Sequence, residues 1–236
     1  MSPLAAQDEH PQPSRAVADP GHRAYVICTT GRTLPGSSNM PGLVRIDPWK
    51  TSSGAFVDAV NALQQSRLGD LAVPVWALYD CAESTGAVVG LLDGAGKPVS
   101  MLATTPTLER GAWHFYAVCA HDPAVLAGTF SVAVEVLRPK VFSMVLPWEG
   151  GAFGACLEIG AMELVTARTP CHTEPRSATV RVRPGAATPA GNRATVNTRD
   201  AAALQRLQEE IEQGIAYMVV EPPSPSGVVV LERVKG

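Results

Sequence analysis

Five histidines and five cysteines are the residues of this 236-residue chain best suited to nucleophilic, acid–base or metal chemistry. The histidines are His10, His22, His114, His121 and His172, and the cysteines are Cys28, Cys81, Cys119, Cys156 and Cys171. A nucleophile needs a base within hydrogen-bond reach. Cys171 and His172 are adjacent in sequence, and adjacent side chains rarely face one another, so they do not form such a pair. No Gly-x-Ser-x-Gly elbow and no protease-type cysteine motif occurs. Cys119 and His121 on one strand would share a face and offer two metal ligands. Together with Cys171 and His172, however, their spacing matches no zinc pattern. Cys28, Cys119 and Cys156 sit in apolar runs, where cysteine behaves as a small hydrophobe. His114 alternates with Trp113 and Phe115, which points it at solvent or at a neighbouring element. These residues predict no catalytic set, no metal site and no cofactor.

Phosphate chemistry has two further candidates. Gly94-Ala95-Gly96-Lys97-Pro98 resembles a phosphate loop in composition, but Pro98 opens a strand where a helix N-terminus would be needed. The second candidate is the segment 168–199, where six arginines (Arg168, Arg176, Arg181, Arg183, Arg193 and Arg199) face Glu174 alone. Its charge is +5 within a chain of net −3. The planar arginine fork suits phosphate. Alternation in Ser177–Arg183 places Arg181 and Arg183 on one strand face. No aromatic residue lies between 168 and 199, so base stacking is excluded and any nucleic-acid contact would be to the phosphate backbone.

The elements that position these groups are short and mostly strand-like. Apolar residues make up 46% of the chain and charged residues only 17%. The odd cysteine count without a CxxC pair implies a reducing, cytoplasmic compartment, or a virion if the protein is viral. No apolar run is long enough to cross a membrane. Residues 1–22 carry Pro3, Pro11, Pro13 and Pro20 and read as an arm ordered only by a partner. Strands are expected at Ala24–Thr30, Leu43–Ile46, Val73–Asp80, Ala87–Leu92, Val99–Thr104, Trp113–Ala120, Val141–Leu146, Met162–Ala167 and Ala178–Val182. A final hairpin is expected at 216–220 and 228–234. One main helix runs from Ser52 or Ser53 to Gly69, and a second begins at Thr198 or Asp200 with Leu204, Leu207 and Ile211 on its face. A short helix fits 152–160. Residues 121–139 open like a helix at Asp122-Pro123, yet Phe130, Val132, Val134 and Val136 alternate, and this favours a strand. The predicted fold is α+β, a β-rich antiparallel sheet or sheets with two main helices and extended arms. Its expected divisions are the arm 1–22, a main domain 23–167, the arginine-bearing strand and loop 168–199, and a helix with hairpin at 200–236 packing on the main domain.

Two resemblances bear on function. With 20 Pro, 33 Ala and 14 Ser, the composition is similar to that of the proline-alanine-serine-rich, coat-like proteins of fungal double-stranded RNA viruses. That implies a non-enzymatic, self-assembling homo-oligomer whose six arginines contact nucleic-acid phosphates. Residues 87–167 instead resemble, by order of elements, the acyl-CoA-dependent N-acyltransferases of the GNAT type. That layout takes 87–104 as a hairpin, 113–120 as the central strand, 122–137 as a helix and 141–146 as the next strand. Phe153–Val165 (FGACLEIGAMELV) is similar to the family's late helix-to-strand element. The family's pyrophosphate loop, Gln/Arg-x-x-Gly-x-Gly/Ala, is missing. His121-Asp122-Pro123-Ala124 stands in its place, where the aspartate would repel CoA phosphates. The expectation taken from the sequence is the coat-like protein; the alternative is a GNAT-like acyltransferase or an inactive member of that fold.

Overall fold

The computed structural model describes residues 21–168 and 176–234. The expected arm therefore lies, up to residue 20, outside the described residues, as do Cys171 and His172. The chain forms β1 (Arg23–Ile27), β2 (Val44–Ile46), α1 (Gly54–Leu68), α2 (Val75–Glu83), β3 (Ala87–Leu92) and β4 (Pro98–Pro106). It continues through β5 (Ala112–Ala120), α3 (Leu126–Leu137), β6 (Val141–Pro147), α4 (Ala152–Ile159), β7 (Gly160–Thr166) and β8 (Ser177–Pro184). The last elements are β9 (Asn192–Asn197), α5 (Ala201–Glu212), β10 (Ala216–Glu221) and β11 (Val228–Val234).

All strands join one sheet in the order β2-β1-β3-β4-β5-β6-β8-β7-β10-β11-β9. The α+β class stands, but the sheet is mixed: β1 runs parallel to β2, and β5 parallel to β6. Among the described residues five α-helices, rather than two main ones, cover its faces. The β3–β4 turn forms as its residues dictate, because the Asp93 carboxylate accepts from the Ala95 and Lys97 amides at 2.9 and 2.8 Å.

The stretch 121–139 is a helix, which corrects the strand expected there. Asp122 caps the Ala124 amide at 2.9 Å, and Pro123 fixes the entry. Leu126, Thr129, Phe130, Ala133, Val136 and Leu137 are buried at helical spacing, and Val132 is buried as well. The helix is enclosed on most of its circumference, so nearly every position is apolar and a period-2 reading fits by accident. Residues 75–83 are likewise a helix and not the expected strand, since Leu78, Cys81 and Ala82 form its buried face behind Pro74. The polar strand β9 was not foreseen at all.

Two apolar layers result. Tyr25, Ile27, Val60, Leu63, Leu78, Cys81 and Met101 pack α1 and α2 onto one face of β1, β3, β4 and β5. On the other face Phe115, Phe130, Phe142, Trp148, Phe153, Leu204 and Leu231 join α3, α4 and α5 to the sheet. Trp148 stacks on Phe153 with ring centroids 5.1 Å apart, and its Nε1 donates to the Ala167 carbonyl at 3.1 Å. Between α3 and β4, Ser100 Oγ and Thr129 Oγ1 share a buried hydrogen bond of 2.6 Å. The helices α1 and α2 stop short of β6, β8 and β7, and the face of those strands that carries Ser143, Arg181 and Glu163 has no helix over it among the described residues.

Candidate functional site at the parting of two strands

The parallel pair β5/β6 is short. It runs from Ala112 opposite Val141 to Phe115 opposite Met144, and no later residue of β5 pairs with β6. Beyond that point β5 keeps β4 on one side, while β6 continues on β8 as far as Pro147. The two strands therefore part, and the backbone of residues 116–120 presents an edge with no strand beside it among the described residues. A bulge sits at the parting: the β4–β5 register shifts between Met101 and Ala103, and Ala117 takes φ 49. A left-handed alanine costs about 1 kcal/mol or more and persists only where its surroundings hold it there.

His114 pairs with Ser143, one residue before the last pair of this junction. Phe115 points into the α3 layer, so His114 and Tyr116 project from the opposite face, where their rings stack at 6.1 Å. His114 Nδ1 is 3.2 Å from Ser143 Oγ on β6, and Nε2 has no hydrogen-bond partner among the described residues. Burial holds the imidazole below its ordinary value of 6.5, against the opposing pull of a hydrogen bond with the Ser143 backbone. The ring is neutral at pH 7. With the proton on Nδ1, Nε2 keeps its lone pair and can act as a base.

The nearby thiols are poor nucleophiles. Desolvation raises Cys81, pushes Cys119 up to about 12 and drives fully buried Cys156 higher still. A thiolate is needed for covalent catalysis, so these cysteines serve packing. Tyr116 is also pushed up, first by burial and then by its hydrogen bond with Cys81. No cluster of three metal-type side chains occurs among the described residues.

Two loops, one leading into α3 and one into α4, flank the mouth between the parted strands. A β-carbon on Gly151, just ahead of α4, would lie 3.2 Å from the Pro123 side chain at the start of α3. Gly150 before it has φ 129, a conformation that only glycine adopts readily.

The six arginines do not form one surface. Arg168 donates to Gln205 (2.6 Å), Arg183 meets Glu163 (3.7 Å), and Arg193 meets Glu221 and Glu232 (3.9 Å each). Arg181 is exposed on the bare sheet face beside Glu163 and Ser143. Arg176 and Arg199 converge on one oxygen of Glu149, at 3.4 and 3.9 Å. Two open clefts of about 590 Å³ lie away from the parting. In one of them, beyond β1 and β2, Arg32 and Arg45 are spent on the carbonyls of Thr85, Gly86 and Arg32, and so hold loops together. No helix among the described residues is long and apolar enough to cross a membrane.

No family model and no curated protein matches the chain. Among solved structures, the chain is similar to the ribosomal-protein-S18-alanine N-acetyltransferase of Escherichia coli, with 13% identity over 61% of this chain and 93% of that one at a TM-score of 0.41. A GCN5-related N-acetyltransferase from Brucella melitensis matches at 14% identity over 56% and 72%, with a TM-score of 0.38. A spermidine N-acetyltransferase chimera from Vibrio cholerae matches at 8% over 55% and 90%, with a TM-score of 0.41. The chain's own order of elements is the firmer guide. The β3–β4 hairpin, β5, α3, β6, α4 and β7 follow one another as the acyltransferase layout requires, with a helix at 126–137.

These findings correct the expectation of a non-enzymatic coat or genome-associated protein. The segment 121–139 is a helix, as the alternative layout has it, and the six arginines are dispersed over several faces. His114 is the site residue that sequence reasoning passed over. Its place on a strand was legible, but its pairing with β6 was not.

Proposed function

We propose that this chain is a GNAT-like N-acyltransferase that draws its acyl group from a pantetheine thioester of the acyl-CoA type. The observation that carries the reading is the parting of β5 from β6 at a strained bulge, three residues along the strand from a neutral histidine. A pantetheine arm carries two amides in extended sequence, and the unpaired edge of residues 116–120 offers complementary backbone groups. The acyl carbonyl would then lie near the vertex, where His114 projects on the α1/α2 face of the sheet, beside the part over β6, β8 and β7 that those helices do not reach. An amine arriving from that face attacks the thioester carbonyl and gives its proton to His114 Nε2. The C–S bond breaks as the C–N bond is completed, and the leaving thiolate takes up a proton. Transfer is direct, because the described cysteines near the site are held as neutral thiols.

Calorimetric titration with acetyl-CoA and S-acetylpantetheine tests the reading. Dissociation constants of about 1–100 μM are expected for acetyl-CoA, in the range usual for enzyme substrates. Thiol release should rise when a panel of amines is added. Absence of binding for both thioesters at millimolar concentration would overturn the proposal.

A further inference from the structure

We propose that Arg176 and Arg199 form a diphosphate-binding site at the mouth of the parted strands, with Glu149 holding the place of the anion. The inference deepens the acyl-transfer reading and rests on it, since the diphosphate would be that of the CoA donor.

The start of α3 cannot hold phosphate here. Its free amides are approached by the chain's own Asp122 carboxylate, which accepts from Ala124 at 2.9 Å. A second negative charge at that point would be repelled. The adjacent loop offers the opposite arrangement. Two guanidinium groups meet at Oε1 of Glu149, all three side chains being about half exposed. Two cations around one oxygen is the geometry that a phosphate oxygen satisfies better than a carboxylate, because phosphate brings more charge and more acceptors.

Both arginines are placed by other contacts. Arg199 Nη2 donates to the Pro225 carbonyl at 2.7 Å. The Arg176 carbonyl accepts from the Trp148 amide at 2.8 Å, which ties its backbone to the end of β6. Two residues beyond Glu149, the α4 helix starts at Gly151 with no side-chain cap and no acid in its first turn. The first-turn amides of α4 add positive potential on the same side. Gly151, in contact with Pro123, places this group beside the opening between β5 and β6. A diphosphate on Arg176 and Arg199 would displace Glu149 and leave the pantetheine arm pointing into the parting.

The test is calorimetry on the full chain with three probes: coenzyme A, pantetheine and inorganic pyrophosphate. In the double variant R176A/R199A, coenzyme A and pyrophosphate should bind at least about tenfold more weakly, while pantetheine is unchanged. In Glu149→Gln, which removes the competing charge, both anionic probes should bind several-fold more tightly. The second variant keeps the test decisive if the first loses its fold, as followed by circular dichroism. Wild-type protein that does not bind pyrophosphate, or a double variant with unchanged affinity for coenzyme A, overturns the site. Arginine-dependent pyrophosphate binding without any pantetheine binding leaves the site standing and removes the acyl-transfer reading.

Discussion

Replacing His114 by glutamine is expected to lower kcat/KM for amine acylation by about 10²- to 10⁴-fold, the usual contribution of a general base. Donor affinity should be unchanged, because His114 lies at the vertex and not along the edge of residues 116–120. The loss should appear in kcat more than in the KM for the thioester, since the base acts only as the amine loses its proton. A pH profile separates a base from a merely structural residue. Burial favours the neutral ring, so the folded-state value lies below 6.5 and the rate is flat at neutral pH. Activity falls as pH drops through that lowered value, and the acid limb should vanish in the glutamine variant. Stability carries the same sign. The depressed folded value makes His114's share of stability complete above the unfolded value, and it declines as pH falls below it. A variant with wild-type kcat/KM and an intact acid limb would remove His114 from the chemistry.

The largest effect on stability is expected at Phe142. Its ring is fully buried and lies 4.3 Å from Phe115 at an interplanar angle of 11°, with Phe130 stacked beyond it. Phe142 sits opposite Trp113 within the short paired part of β5 and β6. Phe142→Ala should cost about 3–5 kcal/mol, combining lost burial with an unfilled cavity. For a chain of this size that is a fall in Tm of roughly 6–20 °C. Leu108, which is wholly exposed, serves as the control, because its replacement by alanine should stay within about 0.5 kcal/mol. Thermal and urea unfolding followed by circular dichroism decide it. A Phe142→Ala protein as stable as wild type would mean that the junction is not held by this stack.

Sequence patterning exposed most strands because they obey strict alternation or end at clear turn residues, as at Asp93–Pro98. It misjudged α3 because a helix buried on most sides loses its polar face, and β-branched valines at every second position then mimic a strand. The helix α2 was misread for a related reason: Val73-Pro74-Val75-Trp76 is dense in strand formers, yet Pro74 marks a helix entry. The short β9 escaped because Asn192–Asn197 has few apolar residues and pairs only at the sheet edge with β11. The site was less legible than the fold. His114 gains meaning only from the strand that pairs beside it, and Glu149, Arg176 and Arg199 are separated by 27 and 50 residues in sequence. Their meeting depends on the sheet order and on the path of the C-terminal strands, which no local pattern encodes.

That sheet order also fixes a sequence of events during synthesis. β6 and β7 leave the ribosome before β8, yet β8 lies between them and pairs with both. Until residues 177–184 emerge, the nascent chain carries two strand edges facing a vacant slot, and neither can be satisfied by its final neighbour. Insertion of β8 must therefore follow both, joining it to β7 across 13 to 24 residues and to β6 across 30 to 40. In pulse-labelled refolding the β6 amides that pair with β8 should gain protection no earlier than the amides of β8 itself. A partner that holds the slot open, or a rival strand that enters it first, would divert the protein toward aggregation before the junction of β5 and β6 is ever completed.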